Sequence, residues 1–375
     1  MSTEALRRCI GDVDVFARRQ WGREPMIRRA AGDFGDLLDV AAIETMLTDL
    51  ARRPTFRLVR DGAPVPVGAY TLRTRVGGAT LDDVADVDRI LDLVAGGATI
   101  VMQGMQRYWP PLARFCLDVE ADLSHPVQAN AYLSPPTASG LARHADGHGV
   151  IVLQVTGAKE WDIDGVGPTT LHAGDVAYLP AGVHHAARTS GSMSLHITLG
   201  LLVRTYRQVL YGLVDGLDDP DLDRPLPVGF ATDRSAALDG LAEPLRSSLA
   251  SVGGALAATD PVTVAHHEID RRRRRARRRW TGRLEHVVNP TSLGPSTTVR
   301  ARRGISSSRD GEDVLLDAPD RRLRLPALTA PALEVLASGQ AVRMRDLPGL
   351  TPEDGIVLVR RLVREGIVVV AGTAS

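Results

Sequence analysis

From Cys9 to about Leu50, apolar residues recur every third or fourth position, as in Val13, Phe16 and Ala17, then Leu37, Leu38, Ala41, Ile43 and Leu47. That period returns side chains to one face of a helix and predicts short helices flanking a core. Segment 81–122 continues the pattern with Val84, Val87, Ile90, Leu91 and Val94, and later Leu112, Phe115, Cys116 and Val119, predicting a helical cover broken at Pro110 and Pro111. Between about Val127 and Val203 the pattern changes to short runs of Val, Ile, Leu and Thr separated by Gly, Pro and Ser. Gly149–Val155, Asp175–Leu179 and Ser194–Leu199 predict strands, and evenly spaced short strands with such turns predict a sandwich or jelly roll.

From Thr205 to about Arg279 the helical period returns, through Val209, Leu210 and Leu213, then Leu238, Leu241, Leu245 and Leu249. The last stretch alternates: strand-like 312–316 and 321–325, helix-like 330–338, a turn at Leu347–Leu350, a helix over Pro352–Glu365 and a strand at Ile367–Val370. That order predicts a winged helix. The reading is mainly β with α: a jelly-roll domain with its N-terminal helical flank over 1–204, a helical domain over 205–284 and a winged-helix-like domain over 285–375.

Composition narrows the partners. Forty-five basic side chains balance forty-five acidic ones, so no global field draws nucleic acid or an anionic membrane. Two cysteines, Cys9 and Cys116, are too few for a disulfide framework, and a reducing cytoplasm is expected. Neither an export signal nor an uncharged apolar run of roughly 20 residues is read in the chain. Of the forty-five basic residues one is a lysine, Lys159, and the rest are arginine. A chain that uses arginine wherever a generic cation will do marks that lysine as special.

His144 and Asp146 are two apart, so on a strand both side chains face the same cavity. The run Gly174–His185 allows one strand over Asp175–Leu179, a turn over Pro180–Gly182 and a returning strand that brings back a histidine. Alternation admits His184 or His185 but not both, and the spacing from Gly182 favours His185. Two histidines and a carboxylate leave a metal with open positions for a bidentate co-substrate and oxygen, the arrangement of non-haem Fe(II) oxygenases. Lys159, just after Thr156-Gly157, can aim its ammonium at a distal carboxylate, and Asn130 with Tyr132 places an amide and a phenol on one face. His196 is expected to be packed or second to the ligands, Thr198 to contact the co-substrate, and His148 to face the substrate.

Asn130-Ala-Tyr-Leu-Ser-Pro-Pro136, His144-Ala-Asp146, Leu153–Trp161 and Leu179–His185 together resemble the JmjC oxygenases of the ribosomal oxygenase group, in the cupin superfamily. The likeness extends weakly to Trp21–Pro25 and Tyr108–Leu112. It implies a double-stranded β-helix with N-terminal helices, a helical dimerisation domain and a C-terminal winged helix. It implies Fe(II) on His144, Asp146 and His185, and 2-oxoglutarate on Lys159, with Asn130 and Tyr132. The reaction implied is hydroxylation of an amino-acid side chain in a protein or peptide, a ribosomal protein or a component of a biosynthetic pathway, with O2 consumed and 2-oxoglutarate decarboxylated. Ala145 stands where the family commonly carries an aromatic residue and Gly149 where it carries an acid, departures that touch the substrate rather than the metal. The alternative is a ligand-sensing transcriptional regulator acting through its winged helix, although Glu353 and Asp354 in the first turn of the recognition helix oppose phosphate. Arg271–Arg279 offers an rRNA contact or a solvated helix face.

Overall fold

The computed structural model describes residues 4–136, 138, 142–189, 191–231, 234–275, 283–302, 304–318 and 320–371. It divides into two compact units, Met1–Val203 and Arg204–Ser375.

The first unit opens on α1 (Glu4–Ile10) and α2 (Val13–Arg19), followed by β1 (Met26–Arg28) and α3 (Val40–Thr45). Asp12 and Asp39 cap α2 and α3 by accepting from backbone N–H groups of their first turns. The region after Leu50 is rich in strands, and from residue 81 on it departs from the helical expectation. It holds β2 (Phe56–Arg60), β3 (Ala63–Pro64) and a hairpin of β4 (Thr71–Val76) with β5 (Ala79–Ala85), turning on Gly77 and Gly78, both at positive φ. Helix α4 (Val87–Ala95) separates the hairpin from β6 (Thr99–Met102), a strand buried throughout. Such a short apolar run carries no period that tells strand from helix. Pro110 and Pro111 begin α5 (Pro110–Leu123) rather than break it. A helix's first turn has no intrahelical use for those N–H groups, so proline is tolerated there.

The remaining strands of this unit are β7 (Val127–Ser134), β8 (His144–Ala145), β9 (Gly149–Ile163), β10 (Gly167–His172), β11 (Val176–Leu179), β12 (His184–Arg188) and β13 (Ser194–Leu201). The main path runs β1-β11-β9-β13-β7-β6-β2-β3, with each neighbouring pair antiparallel. The 15-residue β9 joins two layers. Its first half pairs with β11 and β13, and its second half with β10 and β12, which in turn holds β8.

The bend falls at Gly157, whose φ of 69° suits glycine, and a Cβ there would stand 1.8 Å from the Met193 carbonyl oxygen. One face of the main sheet packs Ala129, Ala131, Ile151, Leu153, Ile197 and Leu199 against the N-terminal helices. The other face, with Val150 and Val152, meets Trp161 and Ile163 from the bent half of β9.

The second unit begins with α6 (Tyr206–Asp215), α7 (Arg234–Ala258), α8 (Pro261–Arg275) and α9 (Arg283–Val288). Then follow β14 (Thr298–Ala301), β15 (Ser306–Asp310), β16 (Asp313–Ala318), β17 (Arg321–Pro326), α10 (Ala330–Ala337), β18 (Val342–Arg343), α11 (Pro352–Arg364) and β19 (Val368–Val370). These form the sheets β18-β14-β19 and β15-β16-β17 around a core that includes Leu316, Leu333, Val359 and Leu362. Among the described residues no helix is long and apolar enough to cross a membrane.

Candidate metal centre

Antiparallel register sets His144 on β8 directly opposite His185 on β12. Asp146 follows one residue beyond β8, and its backbone carbonyl accepts from the N–H of Gly182 at 2.9 Å, tying the 180–183 turn to the ligand segment. The carboxylate lies 3.8 Å from Nε2 of His144 and 3.9 Å from Nε2 of His185. One ligand atom from each of the three residues falls within 4.8 Å of the others.

Both imidazoles are oriented through their second nitrogen. Nδ1 of His144 is 2.9 Å from the Ala142 carbonyl oxygen, and Nδ1 of His185 is 3.1 Å from that of Val183. A carbonyl only accepts, so each Nδ1 carries the proton and each Nε2 keeps its lone pair for a cation. Burial holds His185 below the ordinary imidazole range, which favours the same neutral form. His184 is exposed and points away, 3.7 Å from Asp164.

Beside the triad lies a cavity of about 290 Å³ between the two layers. Lys159, 3% exposed, enters it from the bent half of β9. Its Nζ donates to Ser134 Oγ at 3.0 Å, and that oxygen also accepts from the Thr99 hydroxyl at 3.0 Å. Among the described residues no carboxylate comes within ion-pair distance of it. Burial therefore pushes the ammonium down to about 8.

The imidazole of His196 stacks on Tyr132, 4.8 Å between centroids, and meets Trp161 edge-on at 5.6 Å. Burial, and then the Lys159 charge, keep His196 well below its ordinary value, so it is neutral. Its Nδ1 and the indole Nε1 of Trp161 are buried without a hydrogen-bond partner. Buried polar groups in folded proteins are ordinarily paired, so two orphans beside an unpaired ammonium mark a cavity shaped for a polar ligand.

Tyr132 and Thr198 line the cavity, and Asn130 does not: its side-chain oxygen accepts from the Gly104 N–H at 3.0 Å. His148, expected to face the substrate, instead lies over Gly200, its Nε2 only 2.7 Å from where a Cβ on that glycine would stand. The glycine at 200 leaves the room that this ring takes up. Lining residues without an assigned role in the sequence include Arg57, Thr99, Val101 and Trp161. Thr99 lies in a short strand within the segment expected to be helical cover, and Arg57 in one where no element was expected from the sequence.

Residues 105–170 match the family model described as the JmjC domain. Through that segment the chain is related to JmjC-domain proteins. Its relatives by sequence include "Bifunctional lysine-specific demethylase and histidyl-hydroxylase NO66" from Branchiostoma floridae, 28% identical over 42% of this chain and 28% of that protein. The protein of the same description from Drosophila simulans is 32% identical over 38% of this chain and 19% of its own length. The chain thus matches under a third of these relatives. By structure the chain is similar to YcfD, a ribosomal oxygenase from Escherichia coli, at 16% identity and a TM-score of 0.51, covering 96% of this chain and 98% of that one. YcfD in complex with cobalt and 2-oxoglutarate matches at 17% identity and a TM-score of 0.50, over 96% and 98% of the two chains. The fold of YcfD is thereby shared over nearly the whole length, and the segment that matches the JmjC domain includes the His144 and Asp146 pair and Lys159.

Proposed function

We propose that this protein is an Fe(II)- and 2-oxoglutarate-dependent oxygenase that hydroxylates an amino-acid side chain in a protein or peptide. The observation that carries the reading is the pairing of two environments in one cavity. Two histidines with Nδ1 committed to backbone carbonyls turn Nε2 toward Asp146, and a buried ammonium without a carboxylate stands beside them. The first suits a divalent cation with open positions, and the second suits the far carboxylate of a dianion.

His144, Asp146 and His185 would hold the Fe(II), which when bound with 2-oxoglutarate supplies oxygen activation coupled to decarboxylation to succinate and carbon dioxide. Lys159, with the Ser134 and Thr99 hydroxyls, would grip the distal carboxylate. Tyr132 and Thr198 offer hydroxyls along the cavity, while Asn130 supports the site through the Gly104 backbone. Trp161 Nε1–H can donate to the co-substrate, and neutral His196 Nδ1 can pair with it or with a water. Val101, Val150, Val152 and Ala187 form dry walls that keep bulk water from the reacting atoms. Hydroxylation rather than demethylation is the preferred reading, because YcfD, alike in fold over 96% of the chain, is a ribosomal oxygenase, while NO66 is named for both activities.

The second unit supports two further parts of the reading. Exposed Tyr206, Leu210, Tyr211, Leu245, Leu249 and Ile269 on α6, α7 and α8 favour self-association as a dimer. The strand and helix order after residue 285 suits a winged helix that docks protein, since Glu353 and Asp354 occupy the first turn of α11. Those acids also weigh against the transcriptional regulator. Of the Arg271–Arg279 tract, Arg271 meets Glu268 and Arg273 meets Asp317, so an rRNA contact rests on other arginines, and 276–279 lie outside the described residues. Cys9 and Cys116, both buried and not joined in a disulfide, agree with a cytoplasmic setting.

The test is succinate formation from 2-oxoglutarate by anaerobically purified protein given Fe(II) and then oxygen, with His144→Ala and Lys159→Ala in parallel. Succinate from wild type alone is expected. Equal yields from all three proteins would end the reading.

A further inference from the structure

Among the described residues lining the cavity, two are cationic at neutral pH, Lys159 and Arg57, and one is a carboxylate, Asp146. Arg57 lies on β2, and the register carries it across the main sheet: it stands opposite Val101, Val101 opposite Tyr132, and Tyr132 opposite His196. One lateral row therefore runs Arg57, Val101, Tyr132, His196, all four facing the cavity. The Tyr132 phenol lies within the fields of both the guanidinium and the Asp146 carboxylate. The cation thus lines the same cavity as the triad, two strands from Tyr132 along the row.

Arg57 is half-buried, yet among the described residues it has neither an ion pair nor a side-chain hydrogen bond. Arg204, Arg273, Arg302 and Arg321, also half-buried, each meet a carboxylate. The loaded site does not supply the missing anion either. The two positive charges of a ferrous ion and the one on Lys159 are balanced by Asp146 and the two carboxylates of 2-oxoglutarate, which leaves Arg57 as an uncompensated charge. A guanidinium in a partly dry cavity, with its donors unused, is a fork for a planar anion.

We propose that Arg57 recognises a carboxylate on the oxidised substrate, so that the substrate class is a carboxylate-bearing amino-acid unit presented beside Tyr132. This rests on the oxygenase reading above. The carboxylate comes from an acidic side chain within a peptide or from a main-chain terminus, and the reacting C–H bond lies within a few bonds of it.

Protein loaded with Mn(II) and 2-oxoglutarate, which does not turn over without Fe(II), is titrated calorimetrically with four probes. N-acetyl-aspartic acid amide and N-acetyl-glutamic acid amide present a side-chain carboxylate, N-acetyl-leucine a main-chain carboxylate, and N-acetyl-leucine amide none. At least one carboxylate probe is expected to bind at least about tenfold more tightly than the neutral amide. Arg57→Gln is expected to erase that preference and Arg57→Lys to restore part of it, with the affinity for 2-oxoglutarate unchanged within about twofold. A preference for the aspartic or glutamic probe assigns an acidic residue, and a preference for N-acetyl-leucine assigns a chain terminus or free amino acid. Equal binding of all four probes, or of none, overturns the proposal. So does a loss of 2-oxoglutarate affinity in Arg57→Gln as large as that in Lys159→Ala, which would give Arg57 to the co-substrate. Failure of wild type to take up 2-oxoglutarate with the metal, seen before any probe is added, would instead be the failure of the oxygenase reading itself.

Discussion

Lys159 illustrates how the side chain proposed to hold the co-substrate also carries a stability cost. Its ammonium is buried and held at about 8, below the ordinary 10.5, because burial disfavours the charged form. Between those two values the unfolded chain binds more protons than the folded one, so this residue's contribution makes the metal-free protein more stable as pH rises through that window. A thermal melt series from pH 8 to 10 should show the rise in wild type and lose it in Lys159→Met. Ligand binding has the opposite sign. The dianion needs the ammonium, so affinity for 2-oxoglutarate should fall above about pH 8, by up to about tenfold per pH unit. Lys159→Ala should weaken that affinity by roughly 30-fold or more at pH 7, read by anaerobic titration of the metal complex. At the metal, His185→Ala should cost at least about a hundredfold in Mn(II) affinity, whereas His184→Ala, on the outward side of the same strand, should change it by less than about threefold.

Strand β9 decides where these residues meet. Its first half reads in the sequence as an apolar run, and its second half as polar and charged positions that alternate with Trp161 and Ile163. One glycine lets both halves be a single strand in two layers. Any side chain at 157 would need a positive φ and would press its Cβ on the Met193 carbonyl. Gly157→Ala should therefore destabilise the first unit by more than about 2 kcal/mol in denaturant unfolding, and it should lower metal and 2-oxoglutarate affinity together. An alanine variant at Gly182, where φ is also positive but open space surrounds the Cβ, should be milder. The turn signals here were legible as Gly and Pro punctuation. The strands at 56–60 and 99–102 were not, because runs of four or five residues are too short to show a period that tells a strand from a helix.

Each unit has its own core, and the predictions for the whole chain follow from that. The core of Leu293 to Val368 is drawn entirely from residues of the second unit, with Arg302, Arg321 and Asp320 closing a buried ion cluster beside it. A fragment spanning 283–371 should unfold cooperatively by circular dichroism, and a broad non-cooperative melt would contradict this. Self-association should follow the exposed face of α6 and α7: Leu249→Glu is expected to shift the full chain toward monomer in sedimentation velocity, with the metal affinity intact. What the sequence determined by itself is the set of candidate residues: a His-x-Asp pair, a Gly-Pro turn before two histidines, and one lysine among forty-five basic residues, all within a strand-forming stretch. Those are local facts of spacing and residue type, and alternation turns them into a shared face. What the tertiary structure decided is partnership. Cross-strand register set His144 against His185 and drew Arg57 into line with Tyr132. It also turned His148 away to lie over Gly200 and left Asn130 bonded to Gly104. Register between distant strands depends on long-range pairing and the packing of two layers, which no local period encodes.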